Sequence, residues 1–203
     1  MQLYTSPTTP YGRKTQVAVH EAGLAERVTI RTVGGTPLDP GTLPVDANPL
    51  GKIPALLVDD GGALYDSRVI CRYLDSLSGG RLYPAAPLLW DTLVLEATAD
   101  GMLDAAILMV YEVRLRPDAH RYAPWVEGQW AKIDRALDAV EARWRPYLAG
   151  PVDMAQIGLG CALGYLDFRL SAREWRAGRP ALAEWEAGFA ERPAMRATRP
   201  PAA

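Results

Sequence analysis

The chain has 203 residues, 49% of them hydrophobic and 23% charged, with a formal net charge of −2. This is ordinary globular composition, which excludes long disorder. With no run of like charge, nothing marks a nucleic-acid surface or a polybasic membrane anchor. Cys71 and Cys161 are the only cysteines and form no Cys-x-x-Cys, which excludes a disulfide scaffold and a cysteine zinc site and fits a reducing compartment.

The two histidines, His20 and His120, are too few and too scattered for a metal centre, so no metal is expected. The opening Met1 to Ser6 has no basic region followed by an apolar stretch, so no signal peptide is expected. The longest apolar stretch, Ile157 to Leu166, falls far short of the roughly 18 residues that span a bilayer. A cytoplasmic protein without membrane or nucleic-acid partners is the expectation.

In chain order, Gln2 to Thr5 reads as a short strand. Thr9-Pro10 reads as an N-cap followed by proline at the first helical position, with a helix to about Ala22 and Gly23 as its stop. Val28 to Val33 alternates and is β-branched, a strand signal. Gly34 to Leu50 is mostly loop. Ile53 to Val58 is a third strand, Asp59 to Gly62 a hairpin turn, and Ala63 to Tyr65 a fourth strand. From Ser67, a helical stripe of Val69, Ile70, Tyr73, Leu74 and Leu77 follows. The order is βαβ and then ββα.

After Gly79 the pattern is helical. Leu95, Ala99, Met102, Ala106, Met109 and Val113 recur at alternating steps of four and three, as do Val126, Trp130, Ile133, Leu137, Val140 and Trp144. Two such stripes predict an antiparallel pair in a bundle. At Asp153 the side chain is placed to cap a helix, with Gln156 reaching back and Val152 stapling on Ile157. Ile157 to Leu166 is apolar all round and belongs at a bundle centre. Pro180 opens a last helix with Leu182, Trp185 and Phe189 inward, and the tail Arg199 to Ala203 is expected to fray. The predicted division is residues 1–79, a linker at 80–87, and an all-α bundle at 88–203.

Three short features carry chemistry: Thr9-Pro10-Tyr11-Gly12-Arg13-Lys14, Asn48-Pro49-Leu50-Gly51-Lys52-Ile53-Pro54, and Asp66-Ser67. With these motifs at this spacing, the chain resembles the cytosolic glutathione S-transferase family over nearly its whole length. The capping segment Asp153 to Ile157 fits the same likeness. Ala99 to Ala105 and Gly164 to Arg169 resemble one bacterial subgroup of that family. The resemblance implies an α+β/α two-domain protein, with a thioredoxin-like N-terminal domain followed by an all-α bundle. It also implies a homodimer that binds glutathione on the thioredoxin-like half.

The resemblance further implies a cis Ile53-Pro54 bond with the Ile53 backbone turned toward an extended peptide. Ser67 at a helix N-terminus suits the carboxylate of a γ-glutamyl group and Asp66 its ammonium, with plain capping as the alternative for Ser67. Lys52 suits the glycyl carboxylate or is simply solvated. Asp100 reaches a partner subunit's ligand or is an exposed helix carboxylate.

Catalysis by such a protein requires a thiolate. A thiol with pKa about 8.5 is little ionised at neutral pH, and a hydrogen-bond donor at a helix N-terminus lowers that value. Thr9 stands where the family has Ser or Cys before Pro. Ser6 and Tyr4 are rivals, as is a backbone N–H. A small hydrophobic electrophile is expected between the halves, lined by Tyr11, Met102, Met109, Tyr111, Tyr165 and Phe168, each of which is otherwise core. Two other functions stay open. One is a binding module without catalysis. The other is a glutaredoxin-like disulfide oxidoreductase, for which Cys71 and Cys161 are poorly placed.

Overall fold

The computed structural model describes residues 1–201. Its first strand, β1 (Gln2–Thr5), alternates, with Leu3 and Thr5 buried and Gln2 and Tyr4 half-buried. β1 pairs in parallel with β2 (Thr29–Thr32), which demands a crossover, and α1 (Pro10–Glu21) supplies it. β3 (Ala55–Leu57) lies antiparallel on the other side of β1, and β4 (Ala63–Leu64) closes a hairpin on β3, giving the order β2-β1-β3-β4. Leu3 stands opposite Leu56 at the centre of the sheet, and both are fully buried. The βαβ-ββα order is the one expected. β3 begins later than expected because Pro54 has no N–H for the ladder.

α1 starts after Thr9 and ends at Ala22, where Gly23 takes the left-handed conformation (φ 69°) that ends the helix. Val17 and Ala18 are its fully buried apolar side chains. Arg13 and Lys14 are buried as well, and the Arg13 guanidinium donates to the Met195 carbonyl (3.1 Å) on α8 (Pro193–Ala197). In α2 (Ser67–Leu77) the buried positions are Ser67, Ile70, Cys71, Leu74 and Asp75. Val69, placed in the inner stripe by its hydropathy, is instead 46% exposed. The stripe is rotated by a position because Asp75 faces inward, where its carboxylate accepts from the backbone N–H of Leu82 (2.7 Å) and Tyr83 (3.1 Å).

The chain forms two compact units, Met1–Leu89 with Pro193–Pro201, and a helical unit from Trp90 to Arg192. The helix at Pro180 is therefore not the last. α8 follows it and packs on α1, so Pro193–Pro201 belongs to the first unit and not to the bundle. Of the tail expected to fray, Ala202 and Ala203 lie outside the described residues.

The helical unit is built from α3 (Leu88–Leu115), α4 (Ala123–Arg143), α5 (Arg145–Leu148), α6 (Met154–Leu170) and α7 (Pro180–Ala190). Leu95, Ala99, Met102, Ala106 and Met109 are buried along α3 as the stripe predicts, while Val113, near its end, is exposed. Ile133, Leu137 and Val140 are buried on α4. Ile157 to Leu166 is buried as expected for a central helix, except for half-buried Gly164. Each large aliphatic side chain buried here contributes about 1.5–3 kcal/mol. No helix among the described residues is long and apolar enough to cross a membrane.

Candidate functional site

The three motif segments all fall in the first unit, two at helix starts and one in the turn that leads into β3. Thr9 occupies the N-cap of α1 with extended backbone (φ −86°, ψ 123°), and Pro10 is the first helical residue. The helix ladder starts normally, with the Arg13 N–H donating to the Thr9 carbonyl (3.0 Å). The Thr9 side chain, however, caps no backbone N–H, so it is not a plain N-cap. It is half-buried. An oxygen-bearing side chain at this position normally accepts from the second or third helical N–H. Here the hydroxyl remains uncommitted beside the positive end of α1.

The rivals stand nearby. Ser6 follows β1 directly, is half-buried, and its carbonyl accepts from the Thr9 N–H at 3.4 Å. Tyr4 lies on β1, and the strand alternation turns it to the face opposite Thr5. Tyr11, in the first turn of α1, is half-buried.

The second segment is a loop held by one side chain. Asn48 is buried, donates from Nδ2 to the Lys52 carbonyl (2.9 Å), and accepts the Leu50 N–H on Oδ1 (3.1 Å). The Gly51 N–H returns to the Asn48 carbonyl (2.9 Å). This turn delivers Ile53 and Pro54 to the start of β3, with the Ile53–Pro54 bond cis. Pro54 is buried, Ile53 half-buried and Lys52 exposed.

At the third segment the cap of α2 is Asp66, and Ser67 is the first helical residue, so Ser67 is not the N-cap. Asp66 Oδ1 accepts from the Arg68 N–H (3.0 Å), and Oδ2 pairs with the Arg68 guanidinium (3.2 Å). Burial opposes the Asp66 charge, but the Arg68 guanidinium and the helix N–H groups outweigh it and hold the carboxyl below the usual carboxylate range. Its side chain remains 56% exposed. Ser67 beside it is buried at the start of the helix.

The remaining candidates lie in the helical unit. Asp100 on α3 is only 5% exposed, so it is not the exposed carboxylate of the simpler expectation. Met102 and Met109 on α3 are buried, and Tyr111 and Phe168 are half-buried. Tyr165 is buried and stacks edge to face with Phe168 at 6.5 Å between centroids. Burial, with a smaller contribution from Tyr111, pushes the Tyr165 phenol up to about 12. His20 and His120 are exposed, and both cysteines are completely buried. Neither thiol is presented at a surface.

The Asp153 segment is a closed structural device. Asp153 accepts the Gln156 N–H (3.1 Å) and the hydroxyls of Thr92 and Tyr147. Gln156 does not reach the cap residue's own N–H. It donates to the carbonyls of Pro151 (2.8 Å) and Gly150 (3.4 Å). Burial, seconded by the hydrogen bond to Asp153, holds the Tyr147 phenol far above its ordinary range.

Two residues beside the start of α1, Thr5 at the end of β1 and Gly12 in the first turn of the helix, have no role in the sequence analysis. Thr5 is 1% exposed, and its hydroxyl has no partner. Gly12 lies against it so closely that an added Cβ would overlap the Thr5 hydroxyl oxygen and stand 2.5 Å from the Thr9 methyl. The signals available were the period-two alternation of β1, which turns Thr5 inward with Leu3, and a glycine inside a helix turn, where it costs about 1 kcal/mol relative to alanine.

The family models of glutathione S-transferase match in two parts, the N-terminal domain over residues 8–77 and the C-terminal domain over residues 123–188. The chain belongs to the glutathione S-transferase family. Among particular proteins, it is 32% identical to the uncharacterized GST-like protein YibF of Escherichia coli K12, with both chains covered completely. It is similar to a glutathione transferase family member from Pseudomonas fluorescens Pf-5 solved with bound glutathione, at 45% identity and a TM-score of 0.96 over 98% of each chain. A glutathione S-transferase from Methylobacillus flagellatus, solved with glutathione bound, is 35% identical over 98% of this chain and 99% of that one, with a TM-score of 0.87.

Proposed function

We propose that this protein binds glutathione on its thioredoxin-like unit, holds it as the thiolate, and transfers it to a small hydrophobic electrophile. Addition to an activated double bond and glutathione-dependent peroxide reduction are related outcomes of the same thiolate. The observation that carries this reading is the uncommitted Thr9 hydroxyl at the N-terminus of α1. The similar proteins solved with glutathione support the choice of thiol.

In this reading the Thr9 hydroxyl donates to the sulfur. The Ile53 backbone ahead of Pro54 pairs with the cysteinyl stretch of the tripeptide. Ser67 and the N-terminus of α2 take the γ-glutamyl carboxylate, Asp66 takes its ammonium, and exposed Lys52 takes the glycyl carboxylate. The sulfur's electron pair forms the new bond to carbon, and the leaving group departs with its own pair. The charge-assisted hydrogen bond is worth about 1.5–3 kcal/mol and the helix dipole about 0.3–1 kcal/mol, so the hydroxyl is the dominant stabiliser.

The active form in this reading is a homodimer with two-fold symmetry. Exposed apolar side chains support it: Val69 on α2 at 46%, and Trp90 and Val94 on α3 at 63% and 56%. Asp100 then lies near the partner subunit's ligand.

Addition of glutathione to the protein is expected to produce a thiolate absorbance band, and an activated aryl halide is expected to be conjugated. A band without conjugation marks a different electrophile class. Binding without a band marks a non-catalytic binding module, and absence of binding overturns the proposal. Light scattering at micromolar concentration is expected to give the dimer mass, and a monomer mass contradicts the assembly.

A further inference from the structure

We propose that Gly12 is a positioning residue for the thiolate: the notch it leaves seats the Thr9 methyl and thereby turns the Thr9 hydroxyl out toward the sulfur. This rests on the reading of Thr9 as the sulfur's donor. Three positions from two elements converge here. Thr5 ends β1, Thr9 precedes α1, and Gly12 is the third residue of that helix.

A Cβ built on Gly12 would stand 2.5 Å from Thr9 Cγ2 and 3.2 Å from Thr5 Cβ, besides overlapping the Thr5 hydroxyl oxygen. The volume that a side chain at position 12 would need is therefore filled by the branches of two threonines. Thr5 is a stiff wall of this notch. Its β-branched side chain has restricted χ1, and it is buried although its hydroxyl finds no partner. Shape, not hydrogen bonding, is what Thr5 contributes.

The consequence concerns the rotamer of Thr9. An N-cap threonine ordinarily aims its oxygen at the N–H of the second or third helical residue. Gly12 is that third residue. In this structure Thr9 aims its methyl at Gly12, and no cap bond forms. With the methyl in that well, the staggered alternatives leave the oxygen elsewhere, uncommitted to the helix. A residue larger than glycine at position 12 expels the methyl, and the hydroxyl then swings to the helix N–H groups and is withdrawn from a ligand. A serine at position 9 has no methyl to be expelled, so its hydroxyl keeps the rotamer that faces the sulfur whatever stands at position 12. Threonine as donor and glycine at position 12 thus form a matched pair.

The test measures the pKa of the glutathione thiol bound to the full-length protein by its thiolate absorbance. Gly12→Ala alone would collide with Thr5, so it is made in a Thr5→Ala background and compared with that background. Gly12→Ala is expected to raise the bound thiol pKa by about one unit, about tenfold less thiolate at a pH below both values. Adding Thr9→Ser is expected to restore the pKa, which a general disturbance of the helix would not allow. An unchanged pKa on Gly12→Ala, or failure of Thr9→Ser to restore it, overturns the inference. Thr9→Val in the otherwise unaltered protein separates the two levels. If it raises the pKa while Gly12→Ala does not, positioning by Gly12 falls and Thr9 stands as the donor. If it too leaves the pKa unchanged, both fall.

Discussion

The chain begins α1 and α6 in the same way, with an oxygen-bearing residue in extended conformation, and then treats the two oxygens oppositely. Asp153 at α6 is buried and saturated, accepting one backbone N–H and two hydroxyls. Thr9 at α1 is half-buried and accepts nothing from its helix. Asp66 at α2 lies between the two, capping its helix while remaining more than half exposed. Every helix N-terminus leaves free N–H groups and a positive end. Closing that end with the chain's own side chain builds scaffold, and leaving it open builds a place for an anion. In the proposed function the contrast makes Asp153 a stability residue and Thr9 the sulfur's donor, although a capping pattern in sequence marks both alike.

The largest effect expected is on the closed end. Asp153→Ala removes an acceptor from three donors, the Gln156 N–H and the hydroxyls of Thr92 and Tyr147, which stand 2.7 Å apart. A loss of about 2–4 kcal/mol of unfolding free energy is expected from the cap and the buried hydroxyls together, read by urea titration. A loss below about 0.5 kcal/mol, the range of ordinary surface changes, would erase the contrast.

The open end should respond in the reverse sense. Thr9→Val keeps the methyl and removes the donor, so unfolding free energy should shift by no more than about 0.5 kcal/mol. Turnover with an activated electrophile should fall about 10–100-fold, in line with losing about 1.5–3 kcal/mol. Thr9→Ser should retain activity, and Thr9→Cys should introduce thiol-transfer activity by supplying a nucleophilic thiol at the start of α1. A large stability loss in Thr9→Val would make Thr9 a cap after all.

At the intermediate end the effects are smaller. Ser67→Ala should weaken glutathione binding by about 1 kcal/mol or more, read by calorimetry. Unchanged affinity there would remove Ser67 from the ligand. Asp66→Asn retains a capping oxygen and removes only the charge. The folded Asp66 carboxyl is held low, so its charge stabilises the fold above the unfolded pKa of about 3.9, and that contribution is lost as pH falls through the folded value. The melting difference between wild type and Asp66→Asn should be small at neutral pH and shrink below about pH 4. A difference that grows on acidification would reverse the sign and refute the ion pair with Arg68.

Much of this was legible in sequence, because the signals were local. Thr9-Pro10, Gly23 and Asp153 each dictate a helix end through their own backbone chemistry, and those ends stand where expected. Pro54 likewise marks the entry to β3. What escaped were facts of tertiary placement. Val69 carries the hydropathy of an inner residue but faces outward, because the inward position is taken by Asp75 and its bonds to the linker. Arg13 is buried and its guanidinium holds α8, a helix whose return to the first unit no local pattern announces. The Thr5–Gly12 contact joins a strand end to a helix turn, and only the packed structure shows that a glycine there is filled space. Asp100 and the methionines of α3 follow the same rule, since periodicity gives a face and not what that face meets.

The most direct test of the account is the pKa of the glutathione thiol bound to the wild-type protein and to Thr9→Val, followed by thiolate absorbance across pH. A wild-type value well below the free thiol's value of about 8.5 is expected, with a rise of about one to two units on Thr9→Val and glutathione still bound. Equal pKa values in the two proteins, both well below the free thiol, would contradict it and assign the sulfur to Ser6 or a backbone N–H.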